Sequence, residues 1–402
     1  MKLKISPSRV NGEITAPPSK SYAHRMLISA ALAEGESIIH GVSESGDMLA
    51  TLDCITSLGA SYSREGDMIK VCGAQGKVPE NAVFSCRESG STLRFMIPPA
   101  LTGARVRFEG TPRLLERGIG IYESLLGQKG ISIETRDGGI EMCGELKSGE
   151  YVLRGDVSSQ FVSGLMFALP RLEGDSVITL LPPVESRAYI DVTMAVLGKF
   201  GVIIEEKEEN RFFIKGGQRY LAHEDTVEGD WSNAAALFAF NSLGNSLKVG
   251  GLNYDSIQGD KVCLEYLKRL DEPGAVLDIS NCPDLGPVLF AAAAAKGHGA
   301  HFTGTRRLRI KESDRAAVSA EELAHFGARL TVGDNSVTVL PGAIYAPTVE
   351  LSSHNDHRMV MALTLLLSRL GGTIDGAEAV RKSYPNFFEE LEKLGLEASN
   401  GA

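Results

Sequence analysis

The chain has 402 residues, 43% of them hydrophobic and 23% charged, with one Trp and a formal charge of −10 at neutral pH. This composition fits a folded protein of two or three domains and excludes a disordered or fibrous chain. The acidic balance and the low aromatic content of 6% argue against a nucleic-acid binder, which needs basic surface and stacking faces; small anions held by local cations remain open.

In chain order, the opening MKLKISPSRV has no apolar stretch behind its lysines, so no export signal is read. An N-terminal hairpin is predicted: a strand over residues 3–10, a turn at Asn11-Gly12 and a strand over 14–16. The longest strictly apolar run in the C-terminal third covers the eight residues 288–295, well short of the roughly 20 that a membrane span needs. Six cysteines occur without a CxxC pair, and they are read as reduced, mostly buried thiols.

One pattern then recurs six times: a polar cluster, an apolar helical run, and usually a glycine. The clusters begin at Ser19, Ser89, Ser158, Asp230, Asp284 and Asn355, with spacings of 70, 69, 72, 54 and 71 residues. Ser, Asp and Asn are N-cap residues, and glycine suits the C-terminal end. After each run come a short strand and, in most copies, a second helix closed by Gly59, Gly130, Gly201, Gly327 or Gly395. Turns follow at 65–67, 137–139, 208–210 and 333–335. The fourth copy is short by about one hairpin, and the sixth stops after its second helix. The N-terminal hairpin is therefore expected to complete the sixth copy. This gives one three-repeat domain over residues 19–226 and a second over 1–18 and 227–402. His223-Glu224-Asp225 reads as a solvated linker between them.

The starts of these helices carry misplaced charge. A helix N-terminus has a partial positive charge and free N–H groups, so Lys or Arg there is unfavourable by about 0.3–1 kcal/mol. Yet Lys20, Arg25 and Arg358 sit in such regions, and another helix opens with Lys311-Glu312-Ser313-Asp314-Arg315. An anionic ligand would resolve the conflict, and so would pairing with carboxylates. No P-loop, HExxH or GxSxG motif is present. His354 and His357 have a metal-compatible spacing but no third ligand close in sequence, so capping is the preferred reading and no metal is expected. His24 reads as a polar contact within the first helix.

The motifs in order are Pro18-Ser19-Lys20-Ser21-Tyr22-Ala23-His24-Arg25, Ser89-Gly90-Ser91-Thr92-Leu93-Arg94, Glu116-Arg117, Ser158-Ser159-Gln160, Ser186-Arg187-Ala188-Tyr189-Ile190-Asp191, Cys282-Pro283-Asp284, Lys311-Glu312-Ser313-Asp314-Arg315, Asn355-Asp356-His357-Arg358-Met359 and Lys382-Ser383-Tyr384-Pro385. Together they resemble the 5-enolpyruvylshikimate-3-phosphate synthase family across essentially the whole chain. The resemblance implies an α/β (α+β) fold of two similar domains, each of three βαβαββ repeats in an inside-out α/β barrel, with the active site in the interdomain cleft. It implies transfer of the enolpyruvyl group of phosphoenolpyruvate to the 5-hydroxyl of shikimate 3-phosphate, with no cofactor.

By the same resemblance, Lys20, Ser21, Arg25, Ser158, Ser159, Gln160, Ser186, Tyr189, Asp284 and Lys311 would hold shikimate 3-phosphate. Lys20, Gly90, Arg117, Gln160, Arg315, Arg358 and Lys382 would hold phosphoenolpyruvate. Asp284 and Glu312 would move protons, assisted by Lys20. Seven cations would then face two substrates that together carry a charge of about −6. Three positions depart from the family pattern: Glu88 and Arg307, where relatives often have Asn, and Gly118, where proline is common. A sister enzyme acting on a UDP-sugar would typically carry a reactive Cys near residues 111–117, and none is there. A non-catalytic sensor of phosphorylated metabolites would not need Asp284, Glu312 and Lys20 together. The expected setting is a cytoplasmic monomer with small-molecule substrates and no nucleic-acid or membrane partner.

Overall fold

Five of the six polar clusters cap helices with their own side chains. In the computed structural model, which describes residues 1–74 and 78–401, Ser19, Ser89, Ser158, Asp230 and Asp356 accept backbone N–H groups at the starts of helices Lys20–Leu32, Gly90–Ala100, Ser159–Ala168, Trp231–Ser242 and His357–Leu370. The fifth copy differs: a 3-10 turn, Pro283–Leu285, leads into helix Gly286–Lys296 with no side-chain cap.

The second helices end alike. Gly59, Gly130, Gly201, Gly327 and Gly395 all have positive φ. In each case the glycine N–H bonds three residues back, and the next N–H bonds five residues back: Ala60 to Ile55, Ile131 to Leu126, Val202 to Leu197, Ala328 to Leu323 and Leu396 to Leu391. These are Schellman caps, and each of the ten paired side chains is buried.

The chain divides into two compact units, Pro18–Glu228 and Met1–Pro17 with Gly229–Ala402. Within Pro18–Glu228, three four-stranded sheets share one order: a parallel pair followed by two antiparallel strands. They are Glu224–Thr226, Glu36–His40, Met68–Cys72, Ser61–Glu65; Ala82–Ser85, Thr102–Glu109, Gly139–Glu145, Ser132–Arg136; and Gly149–Arg154, Ser176–Leu181, Arg211–Ile214, Ile204–Glu208. Residues 224–226 are thus a strand, not a solvated linker: Glu224, Asp225 and Thr226 pair in parallel with Ile38, Ile39 and His40.

The other unit repeats this order in two sheets. One is Ala275–Asp278, Ala300–Thr303, Ser336–Val339, Leu330–Val332; the second is Leu351–Ser352, Gly372–Asp375, Leu3–Ser6, Glu397–Asn400. Its third sheet keeps only the parallel pair, Asn11–Thr15 with Ser246–Gly250, as expected for the short fourth copy. Here the predicted hairpin is corrected. Leu3–Ser6 lies at the centre of the sixth sheet, while Asn11–Thr15 belongs to the fourth, so the two strands do not pair and Asn11-Gly12 begins a strand instead of making a turn. A free parallel edge at Ser246–Gly250 outweighs the local Asn-Gly preference.

Helices occupy the interior of each unit. Residues 22–32 are all buried, as are nearly all of 90–100 and 159–168, so these helices are enclosed on every side. The sheets alternate buried and solvent-facing positions, as in Glu36–His40 and Ser176–Leu181. Each unit has its own apolar core. No helix among the described residues is long and apolar enough to cross a membrane.

Candidate active site

In the unit Pro18–Glu228, the N-terminal conflict at Lys20 is answered by a carboxylate: Lys20 Nζ lies 2.8 Å from Asp47 Oδ2, at the start of helix Gly46–Ser57. Arg25 is answered differently. Its guanidinium, 2% exposed, donates to Thr193 Oγ1 (2.7 Å), to the Ser21 carbonyl (2.8 Å), to the Tyr189 carbonyl (3.0 Å) and to Ser163 Oγ (3.4 Å), and it lies over the Phe95 ring. All these partners are neutral, and burial lowers its pKa to about 10. A buried cation without a counter-charge is a place for an anion. His24, the residue immediately before Arg25, bonds Thr51 Oγ1 at 2.7 Å; burial, then Lys20 and Arg25, hold it neutral, which bears out a polar-contact role.

Three further helix starts contribute to this unit. A Cβ at Gly90 would stand 3.0 Å from the Arg117 guanidinium and 3.1 Å from that of Arg94, so both cations lie against the Gly90 backbone. Gln160 accepts from Arg94 Nη1 (2.7 Å) and donates to Ser91 Oγ (2.8 Å), tying the Ser158 and Ser89 helix starts together. Ser158 accepts from the Gln160 N–H, and buried Ser159 makes no side-chain hydrogen bond among the described residues. Ser186 is fully buried at φ 55°, at the start of helix Arg187–Lys199. The structure thus brings Ser21, Arg25 and Tyr189 into one group and Gly90, Arg117 and Gln160 into another.

The unit holding residues 229–402 builds a denser charge cluster. Arg315, 1% exposed, binds three carboxylates: Asp356 through Nε (2.8 Å) and Nη2 (3.1 Å), Asp284 through Nη1 (2.9 Å), and Glu312 through Nη2. Asp284 in turn meets Lys311 (2.8 Å), Arg315 and Arg358 (3.6 Å). Burial pushes the Asp284 carboxyl up, but Lys311, Arg315 and Arg358 together outweigh it and hold it well below the usual 3.8. For Lys311, burial wins over Asp284 and lowers the ammonium, with Arg315 and Arg307 adding to the effect. Arg315 is driven the other way, because three carboxylates overcome its desolvation. Lys382 Nζ donates to the Asn355 carbonyl at 2.7 Å. Several cations expected to face an anion are therefore already engaged internally, as the carboxylate-pairing alternative anticipated.

Over residues 5–391 the chain matches the family model described as EPSP synthase (3-phosphoshikimate 1-carboxyvinyltransferase). It is similar to the 3-phosphoshikimate 1-carboxyvinyltransferases of Clostridium kluyveri and Clostridium acetobutylicum, each 39% identical over 98% of this chain and 97% of the relative. The chain belongs to the EPSP synthase family. A solved EPSP synthase from Acinetobacter baumannii shares the fold, with a TM-score of 0.81 at 24% identity over 99% of both chains.

The motifs of this EPSP synthase family member mark its cations but not the groups that orient them. Asp47, Arg94, Asn233 and Asp356 were given no role of their own, although Arg94 and Asp356 lie inside the quoted motifs. The signal for Asp356 was a cap residue next to two cations; Asp47 and Asn233 give none, because their partners are distant in sequence. The histidine reading also changes in detail. Third ligand candidates do exist in space: Glu312, Asp356 and His357 form one group and Glu321, Glu322 and His354 another. In the first, both carboxylates are bound by Arg315, so the cation there is a guanidinium; in the second, His354 pairs with Glu322 at 2.8 Å. Of the departures, Gly118 stands at φ 67°, which proline cannot adopt, and its carbonyl accepts from Arg94 at 3.3 Å. Arg307 is buried and adds positive charge near Lys311.

Proposed function

We propose that this chain transfers the 1-carboxyvinyl group of phosphoenolpyruvate to the 5-hydroxyl of shikimate 3-phosphate, releasing phosphate by addition and elimination in the shikimate pathway. The observation that carries this reading is the buried cluster of Asp284, Lys311, Glu312, Arg315, Asp356 and Arg358, which holds cations and proton-transfer carboxylates within contact of one another.

Lys20, Ser21, Arg25, Ser158, Ser159, Gln160, Ser186, Tyr189, Asp284 and Lys311 bind shikimate 3-phosphate, the buried Arg25 charge being neutralised by substrate. Lys20, Gly90, Arg117, Gln160, Arg315, Arg358 and Lys382 bind phosphoenolpyruvate. Holding two trianions together supplies much of the rate through approximation and charge neutralisation.

The chemistry needs two proton movements. The 5-hydroxyl loses its proton as its oxygen bonds to C2 of phosphoenolpyruvate, and C3 gains a proton to become a methyl group. The tetrahedral adduct then expels phosphate while the methyl group gives a proton back. A carboxylate can give and retake that proton, and Glu312 and Asp284 are the groups we assign to these steps. When substrate draws Lys311, Arg315 and Arg358 away from Asp284, the cause of its depressed pKa weakens, so the carboxylate becomes a better base as the substrates bind.

The chain is further taken to act as a monomer in the cytoplasm, a setting in keeping with its six free cysteines. Phosphate release measured with both substrates, then with each omitted, tests the reaction. Release that requires both is expected; tight binding of one without turnover would favour a sensor.

A further inference from the structure

We propose that Asn233 is a positioning residue for phosphoenolpyruvate: it fixes the Arg358 guanidinium by one edge and leaves the Nε edge for the anion. The inference rests on the reading that Arg358 holds that substrate.

Asn233 lies in the first turn of helix Trp231–Ser242, far in sequence from Arg358, and is fully buried. Its Oδ1 accepts from Arg358 Nη1 at 2.9 Å and from Ser383 Oγ at 3.3 Å, while its Nδ2 donates to the Ser383 carbonyl at 3.3 Å. The Ser383 carbonyl therefore sets the amide's orientation, since a flipped amide would point N–H groups at the guanidinium. Arg358 is 5% exposed, and its Nε has no hydrogen-bond partner. Its carboxylate contact is Asp284, at 3.6 Å through Nη2. A neutral clamp fixes the side chain without cancelling its charge, which an aspartate there would do. A fully buried first-turn amide hydrogen-bonded at both its ends is held in one orientation, which suits it to fixing a neighbouring side chain. The same amide also fixes Ser383, the neighbour of Lys382, so one residue organises two of the proposed phosphoenolpyruvate cations.

The test compares Asn233→Ala, the isosteric Asn233→Asp, Arg358→Ala and the Asn233→Ala/Arg358→Ala double variant. For each, KM for phosphoenolpyruvate, kcat and the separate Kd for shikimate 3-phosphate are measured. Loss of one hydrogen bond to a charged group predicts a rise of about tenfold in KM for phosphoenolpyruvate in Asn233→Ala, with kcat and the shikimate 3-phosphate Kd held within about twofold. Asn233→Asp should raise KM more, because its charge neutralises Arg358, and Asn233→Ala should add nothing once Arg358 is gone. Unchanged KM in both Asn233 variants, alongside a raised KM in Arg358→Ala, overturns the positioning role and spares the site reading. Unchanged KM in Arg358→Ala overturns the site reading and the inference with it. Equal loss of kcat and of shikimate 3-phosphate binding in Asn233→Ala and Asn233→Asp would reduce Asn233 to a structural residue, as would losses that add in the double variant.

Discussion

Arg25 and Arg315 are both buried guanidinium groups, and they are satisfied in opposite ways. Arg315 has three carboxylates and is held charged, whereas Arg25 has neutral acceptors and a pKa lowered to about 10. From about pH 10 up to its ordinary, higher value, the folded chain binds fewer protons at Arg25 than the unfolded chain does, so this group's contribution to stability rises with pH there. Below that window its buried charge is a standing cost that an anion would offset. Asp284 is also shifted down, so its contribution likewise rises with pH, at the acid end, but there the favoured form is the charged one. Its carboxyl is held below 3.8, so its stabilisation is present above that value and is lost as pH falls through the lower folded value. Asp284→Asn should lower stability at neutral pH by leaving Lys311, Arg315 and Arg358 less compensated, and should flatten the acid limb. Urea midpoints between about pH 5 and pH 2 read this directly; an acid limb as steep as in the parent chain would place its cause elsewhere. Glu312→Gln keeps size and hydrogen-bonding capacity but cannot exchange a proton. A fall in kcat of about 10²–10⁴-fold is expected, with both substrates still bound in titrations; unchanged turnover would remove Glu312 from the chemistry.

At the scale of elements, one local device recurs. A polar residue caps the inner helix, and a Schellman glycine ends the outer one with a buried apolar pair behind it. Both ends are encoded within a few residues, which is why helix starts and the five closing glycines were legible from sequence. Helix crossings were not. Helices Gly90–Ala100 and Ser159–Ala168 meet at Gly164, where a Cβ would stand 2.2 Å from Tyr122 Oη and 2.4 Å from the Arg94 carbonyl. Tyr122 Oη itself bonds the Arg94 and Phe161 carbonyls, both at 2.9 Å. Gly164→Ala must therefore separate the helices that carry Arg94 and Gln160. Thermal or urea unfolding should show a loss of about 1–3 kcal/mol, and KM for phosphoenolpyruvate should rise as the Gln160–Arg94 bond is stretched. A variant as stable as the parent would mean that this crossing has slack.

At the scale of the molecule, the two units differ in how the chain builds them. Pro18–Glu228 is continuous and completes its first sheet with its own last residues, Glu224–Thr226. The other unit is discontinuous. Leu3–Ser6 is an interior strand of its sixth sheet, with Leu3 opposite both Ile374 and Asn400, and Asn11–Thr15 is half of its fourth. A fragment of residues 18–228 should fold alone, with a cooperative thermal transition by circular dichroism. Residues 229–402 should lack one until residues 1–17 are restored, for example by fusing them after residue 402. Cooperative folding of 229–402 by itself would show that the N-terminal strands are dispensable.

What is local could be read along the chain: the caps, the closing glycines, the four hairpin turns, the recurring order of elements and the motifs that mark the family. Each follows from backbone conformation and hydrogen bonding within a handful of residues. Tertiary structure decided where open edges and charges find partners. It sent the two N-terminal strands to different sheets, because an unpaired parallel edge is worth more than a tight turn. It matched Lys20 with Asp47, Arg315 with three carboxylates and Arg358 with Asn233, because these pairings depend on distance in space, which no residue spacing along the chain reports.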